Sequence, residues 1–299
     1  MRANNGVRTR DPQLGKLMLY QLSYIRINRP QKYRKLSYTT KKKFFLLNTH
    51  HSKLSTKQLN KMPITEKEER IIRDSFHPKS WNDIKTHDSW SVFKIMAEFV
   101  EGMEKMARNG PCVAIFGSAR TQPGDKYYEM AVEIAEKLAD YGFGTITGGG
   151  PGIMEAGNKG AHQGGATSVG LNINLPFEQH YNPYIDPDKN INFDYFFVRK
   201  TIFMRYAQGF VAMPGGFGTL DELSEALTLI QTNKMVDFPV VLVGSEYWKG
   251  LIDWFRNTLL RDKMIKEEDF DIFHIVDTAD EAVKIIKEFY KKYAVKPNF

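Results

Sequence analysis

Residues 213–223 read MPGGFGTLDEL, and their types and spacing fit a site for a phosphorylated ligand. The run GFVAM (209–213) resembles a buried strand, and apolar residues recur at helical spacing from Leu220 to Ile230. The glycines between them predict a turn from strand into helix, where free N–H groups and the helix dipole suit a phosphate. Since a carboxylate repels a phosphate, we expect Glu222 to address another part of the ligand. The predicted binding residues of the turn are Gly215, Gly216, Phe217, Gly218 and Thr219.

The same motif also has a purely structural interpretation. Thr219 and Glu222 have the Ser/Thr-x-x-Glu spacing of a capping box, which alone would explain both residues. The glycines would then serve only close packing of a helix against a strand. On this motif alone, both interpretations stay open.

A second candidate group is the pair Arg199 and Lys200 in FFVRKTIFMRYAQGF (196–210). Cations at the start of a helix oppose its dipole, which favours a role toward an outside partner. The arginine fork can hold a phosphate or a sugar in fixed geometry. The alternative is a solvated helix start with a surface ion pair. Glu178 lies in the loop LPFEQHYNPY (175–184), and alone it would be a solvated acid.

Strand-like and helix-like segments alternate along the rest of the chain, and the short runs are rich in Val and Ile. This pattern predicts an α/β fold with a doubly wound, mostly parallel sheet and helices on both faces, a Rossmann-like architecture. The predicted strands are 112–118, 144–150, 168–173, 193–197, 209–213, 239–244 and 274–277. The predicted helices are 86–109, 126–142, 151–163, 198–208, 219–234, 247–261 and 278–293.

Three predicted loops leave strand ends with small residues: GSAR (117–120), TGGGPG (147–152) and MPGGFGT (213–219). Ligands of such sheets bind outside the carboxyl ends of the strands, so we expect these loops to gather at one edge. Gly117, Ser118, Gly149 and Gly150 are therefore further candidate binding residues.

Two common nucleotide-binding classes are disfavoured by the sequence. The first strand ends in a single glycine, Gly117, without G-x-G-x-x-G, and no acid ends the next strand to hold a ribose, which argues against NAD. There is also no G-x-x-x-x-G-K-[ST] loop.

Charge is distributed unevenly along the 299 residues. Residues 1–61 contain 15 Lys or Arg and one acid, whereas residues 62–299 contain 27 Lys or Arg and 34 acids. The mildly acidic body argues against nucleic-acid binding by the folded domain. No apolar run approaches the length of a membrane span.

Other side chains of the body suggest no metal or disulfide chemistry. The single cysteine, Cys112, excludes an internal disulfide and fits a reducing compartment, so we expect a cytoplasmic protein. Its place in the apolar run CVAIF favours a buried small hydrophobe. The histidines of the body show no paired metal-ligand spacing, and we expect no metal.

The basic segment 1–61 differs from everything after it. It has three open interpretations: a transit peptide, a disordered basic arm, or upstream sequence that is not part of the native protein. Met62 precedes a capping box at Thr65 and Glu68, and we favour it as the native start. Residues 62–299 are expected to form one α/β domain with N-terminal helices.

Taken together, these stretches resemble the LONELY GUY (LOG) family of nucleotide phosphoribohydrolases, whose bacterial members carry the label "possible lysine decarboxylase". The matching pieces are FGSAR (116–120), TGGGPGIMEAGNKGA (147–161), LPFEQHYNPY (175–184), FFVRK (196–200) and PGGFGTLDEL (214–223). Glu155 stands where plant members have a small residue, so the chain looks closer to the bacterial branch.

The resemblance implies hydrolysis of the N-glycosidic bond of a nucleoside 5′-monophosphate, such as AMP or a cytokinin riboside monophosphate, to a free base and ribose 5-phosphate. It implies that Arg199 and Glu222 carry catalysis, and that Glu178, Lys200, the turn 215–219 and Thr228 line the substrate site. It also implies a homodimer without a cofactor. Lysine decarboxylation would need pyridoxal phosphate on a lysine with a partner for the ring nitrogen, and we can assign no such set.

Two other functions compete with this one. A non-catalytic nucleotide or molybdenum-cofactor carrier would use the same phosphate turn, but it would not need the pair of Arg199 and Glu222. A protein associated with nucleic acid through a basic arm would depend wholly on residues 1–61.

Overall fold

The computed structural model describes residues 70, 81–175, 181–294 and 298. The predicted basic leader and the capping box at Thr65 lie outside these residues, and so does Glu178. The chain divides into two compact units; Phe93–Phe299 belong to one of them, and Gly15–Val92 form the other. The candidate site and its contacts lie within the unit that contains Phe93–Phe299.

Seven strands form one sheet in which every neighbouring pair is parallel, in the order β4-β3-β2-β1-β5-β6-β7. The strands are β1 (Cys112–Phe116), β2 (Gly144–Thr147), β3 (Ser168–Ile173), β4 (Asn190–Phe193), β5 (Ala207–Ala212), β6 (Val240–Val243) and β7 (Phe273–Val276). The helices are α1 (Trp81–Met106), α2 (Lys126–Ala139), α3 (Ile153–Gln163), α4 (Phe196–Tyr206), α5 (Phe217–Gln231), α6 (Ser245–Trp254) and α7 (Ala279–Lys292). The predicted α/β fold with a parallel sheet is confirmed.

Helices cover both faces of the sheet. Successive residues of a strand point to opposite faces, so each strand contacts helices on both sides. Val113 and Ile115 of β1 pack in one buried cluster with α2 and α7. Phe116 faces the other way, where its ring lies 4.9 Å from that of Phe203 in α4. The central strands β1, β2, β5 and β6 are buried at every position, because each is covered on both faces.

One predicted strand is wrong in position. The run FDYFF (193–197) was expected to be a strand, but β4 ends at Phe193 and α4 already begins at Phe196. A short aromatic run fits a buried strand or a helix start equally well, so periodicity cannot separate them. Two other boundaries differ clearly: α1 begins at Trp81 instead of residue 86, and α6 ends at Trp254, where a π-helical segment, Phe255–Leu260, follows it.

Candidate functional site

The strand order places the switch point of the sheet between β1 and β5. The chain moves outward from β1 through β2, β3 and β4, then returns to the other side of β1. At the carboxyl ends of these strands the Ser118 N–H donates to the Pro214 carbonyl (3.0 Å), and the Ile153 N–H donates to the Ser118 carbonyl (3.0 Å). The three small-residue loops therefore meet at one edge, as predicted, where ligands of such sheets bind.

The glycine turn leads into an α5 helix that no side chain caps. Gly216 is the N-cap residue, without a side-chain hydrogen bond, and the helix begins at Phe217. Thr219 is thus the third helical residue instead of the cap, and the capping-box interpretation of Thr219 and Glu222 is wrong. The first N–H groups of a helix have no acceptor within it, so those of α5 are available to an anion.

Space around the turn is tight on one side and open on the other. A Cβ on Gly215 would lie 2.1 Å from Thr219 Oγ1, whereas a Cβ on Gly216 or Gly218 would meet no atom within 4 Å. Phe217 between them is 93% exposed. Gly215 is therefore required for packing of the turn, and the start of α5 is left open to a ligand.

Arg199 and Glu222 face each other beside this turn. Arg199 Nη2 lies 3.6 Å from Glu222 Oε1, and the side chains are only 13% and 4% exposed. The guanidinium also lies over the rings of Phe196 and Phe203. Among the described residues, Arg199 Nε and Glu222 Oε2 are buried without a hydrogen-bond partner. Buried polar atoms are normally paired, so these two atoms mark a place that a polar ligand would fill.

Burial sets the protonation behaviour of this pair. It raises the pKa of Glu222 to about 7, against the opposing charges of Lys200 and Arg199. Burial likewise lowers the pKa of Arg199, which Glu222 and Asp221 partly offset. A carboxyl that titrates near neutral pH can exchange a proton with a reacting group.

Lys200 joins α4 to α5 through two carboxylates. Its ammonium lies 2.8 Å from Asp221 Oδ2 and 2.7 Å from Glu225 Oε2, and its side chain is 13% exposed. Although burial lowers the pKa of Lys200, Glu225 and the other nearby acids outweigh that effect and raise it. Lys200 thus remains a cation and tethers the helix that carries Arg199 to the helix that carries Glu222.

An asparagine from the loop after β3 holds the glycine loop after β2. Asn182 donates from Nδ2 to the carbonyls of Gly149 and Gly150 (both 3.1 Å) and to Asn158 Oδ1 (2.9 Å). Gly149 has φ +76°, and a Cβ there would overlap Asn172 Oδ1. Asn158 and Asn182 were not among the predicted site residues; the only sequence signal for Asn182 is its place in the YNP that follows Glu178.

The structure does not place all the predicted site residues beside the Arg199–Glu222 pair. Thr228 is exposed, and its hydroxyl donates to the Ser224 carbonyl (2.7 Å). At about 3.6 residues per turn, Thr228 lies on a different face of α5 from Glu222. Glu178 lies outside the described residues, four positions before the anchored Asn182. The roles of Thr228 and Glu178 toward substrate stay predictions.

Within the described ranges, no group of three His, Cys, Asp or Glu residues is placed to hold a metal ion. In the same part of the chain, no helix combines the length and the apolar character needed to cross a bilayer.

Comparison with known proteins adds a family relationship. A family model described as "Possible lysine decarboxylase" matches residues 154–286, which include the Arg199–Glu222 pair and the glycine turn. The cytokinin riboside 5′-monophosphate phosphoribohydrolase LOG of Oryza sativa subsp. japonica is 29% identical over 182 residues, 60% of this chain and 73% of that protein. LOG3 of Arabidopsis thaliana is 27% identical over 191 residues, 63% of this chain and 86% of that protein.

Solved structures with a similar chain trace include two proteins of different description. The X-ray structure of TM1055 has 26% identity and a TM-score of 0.46, covering 60% of this chain and 99% of that one. The molybdenum cofactor carrier protein of Chlamydomonas reinhardtii has 23% identity and a TM-score of 0.44, covering 61% and 99%.

Proposed function

We propose that this chain, which belongs to the LOG family, hydrolyses the N-glycosidic bond of a nucleoside 5′-monophosphate to a free base and ribose 5-phosphate. The observation that carries the proposal is the buried Arg199–Glu222 pair, whose unpartnered atoms lie beside the uncapped start of α5. A phosphate site next to a buried acid suits a substrate that has a phosphate at one end and a bond to be cleaved at the other.

The 5′-phosphate is held, in this proposal, by the backbone of the turn 215–219. Unpaired N–H groups and the positive end of the helix dipole favour an anion there without any side-chain movement. The open space at Gly216 and Gly218 allows a phosphate to approach the backbone closely. Lys200 adds positive charge nearby, and its contact with the phosphate stays a prediction. Binding of the phosphate then positions the ribose over Glu222.

Cleavage is assigned to Glu222 with Arg199 beside it. As the C1′–N bond breaks, its electron pair leaves with the base, and the base takes up a proton. Positive charge then develops on the ribose, as in glycoside hydrolysis. The Glu222 carboxylate stabilises that charge and accepts a proton from the water whose oxygen bonds to C1′. Arg199 braces the phosphoribosyl group or the leaving base through donors of fixed geometry.

The substrate class is proposed from the names of the relatives. Their printed names specify cytokinin riboside 5′-monophosphates, and we propose AMP or such a riboside monophosphate for this chain. A decarboxylase is not proposed, because Lys200, the lysine paired with Glu225 beside the site, is held by two carboxylates instead of being free for a Schiff base. A homodimer in the cytoplasm, without metal or cofactor, stays our expectation.

The test is release of free base from a panel of nucleoside 5′-monophosphates and from the matching nucleosides, with the full chain. We expect release from at least one monophosphate and much slower release from its nucleoside, because the nucleoside lacks the group that the turn binds. Tight binding of a nucleotide without any release would instead favour a carrier. Equal rates with nucleoside and monophosphate would remove the turn as the phosphate site.

A further inference from the structure

Glu98 of α1 contacts the start of the helix that carries Arg199, although it lies outside the residues that the family model matches. Its carboxylate accepts the Asp194 N–H at Oε1 (3.0 Å) and the Tyr195 N–H at Oε2 (3.3 Å). Both oxygens are therefore used on two successive backbone groups. This arrangement fixes the turn between β4 and α4.

A second hydrogen bond continues from this turn to Arg199. Tyr195 is the N-cap residue of α4, and its carbonyl accepts the Arg199 N–H (3.2 Å). Only Tyr195 therefore stands between the Glu98 carboxylate and the Arg199 backbone. A displacement of the turn would move the Arg199 side chain relative to Glu222.

The start of α4 lacks the features that usually stabilise a helix start. Tyr195 makes no side-chain cap, the first turn contains no acid, and Arg199 and Lys200 follow directly. Cations at this end are disfavoured by the dipole, whereas an anion is favoured. Glu98 supplies that anion from a helix 96 residues earlier in the chain.

The same turn is tied to the loop that leads toward Glu178. Asn174 Nδ2 donates to Asp194 Oδ1 (2.6 Å), and the Asn174 N–H donates to the Phe193 carbonyl (2.8 Å). Glu98 thus holds one point where the ends of β3 and β4 and the start of α4 meet.

We propose that Glu98 is a positioning residue for the reaction, which holds the first turn of α4 so that Arg199 faces Glu222. This proposal rests on the proposed function. Burial raises the pKa of Glu98, against the two backbone N–H groups and together with the charges of Asp194 and Glu101.

The experiment compares Glu98→Ala, Glu98→Gln and the control Glu104→Gln in the full chain. Glu104 lies on the same helix in an exposed pair with Arg108. We expect Glu98→Ala to lower kcat/KM on the order of 10-fold, the rate equivalent of a lost helix cap. Glu98→Gln should retain part of the activity, since an amide oxygen still accepts N–H groups. Glu104→Gln should have the wild-type rate.

The decisive measurement repeats Glu98→Ala in an Arg199→Lys background. If Glu98 acts through Arg199, Glu98→Ala lowers kcat/KM much less in the Arg199→Lys background than in the wild-type background. Equal losses in both backgrounds would overturn the proposal, and so would a wild-type rate in Glu98→Ala. Urea unfolding of each Glu98 variant at pH 8 is compared with its kcat/KM, and a loss of stability without any loss of kcat/KM would indicate a purely structural role. A wild-type chain that releases no base from any nucleotide contradicts the proposed function itself, which is a separate outcome.

Discussion

Replacing Glu222 by Gln tests both the chemistry and the energetics of the site. Burial raises the pKa of Glu222 from 4.5 to about 7. At about 1.36 kcal/mol per pKa unit, ionised Glu222 costs the folded state about 3 kcal/mol relative to the neutral form. Gln has the charge of the protonated acid, so the substitution removes this cost.

The direction of the stability change follows from the protons bound. Between pH 4.5 and about 7 the folded chain keeps a proton on Glu222 that the unfolded chain has lost. The contribution of this group to stability is therefore full below pH 4.5 and is lost as the pH rises to about 7. We expect Glu222→Gln to be more stable than the wild type by up to about 3 kcal/mol at pH 8, and to show little difference near pH 4.5.

Activity should change in the opposite direction. Loss of the carboxylate is expected to lower kcat by about 10²–10⁴-fold. If the ionised form is active, wild-type kcat/KM rises with pH through about 7, and this rise is absent from the variant. Base release measured by chromatography from pH 5 to 9, with urea unfolding at pH 4.5 and 8, supplies both curves. Glu246→Gln, an exposed acid in the first turn of α6, is the control.

Two results would refute this reasoning. A wild-type rate that falls as the pH rises through 7 would mean that the protonated acid is the active form. A variant that is less stable than the wild type at pH 8 would mean that ionised Glu222 stabilises the fold.

Three further predictions concern the same site. Gly215→Ala should lose about 1–3 kcal/mol of stability because its Cβ would overlap Thr219 Oγ1, whereas Gly218→Ala has free space and should unfold at the same or a higher urea concentration. Arg199→Lys keeps the charge near Glu222 but loses the planar donors, so kcat/KM should fall by about 10- to 100-fold; an unchanged value would assign Arg199 to the fold alone. Activity should survive EDTA, since the proposed steps use side chains and water, and inactivation that added metal reverses would contradict them.

The predictable part of this protein consists of features that short sequence windows encode. The parallel sheet follows from apolar runs that alternate with helical periods, and the site edge follows from glycines at three strand ends. The turn at Gly215 also needs no distant information, because the atom that excludes a side chain there belongs to Thr219, four residues later. By contrast, the pairing of Arg199 with Glu222 was expected only from the family resemblance.

The parts that could not be predicted depend on contacts between distant segments. Asn182 reaches the glycine loop 33 residues earlier in the chain, and Glu98 caps a helix that starts near residue 196. No sequence motif around either residue predicts which distant segment it contacts. The strand expected at 193–197 was wrong for the same reason, because the carboxylate that accepts the N–H groups at the start of α4 belongs to Glu98 of α1.

Several departures from local rules nevertheless coincide at the site. Arg199 and Lys200 oppose a helix dipole, α5 starts without a side-chain cap, and Glu222 is an acid buried on a helix. Each arrangement costs stability when considered alone. A sequence is expected to satisfy local rules except where function requires otherwise. Their convergence where β1 and β5 end is thus an argument for a ligand site that does not depend on the family resemblance. It predicts that stabilising substitutions at these positions, such as Glu222→Gln, will lower activity.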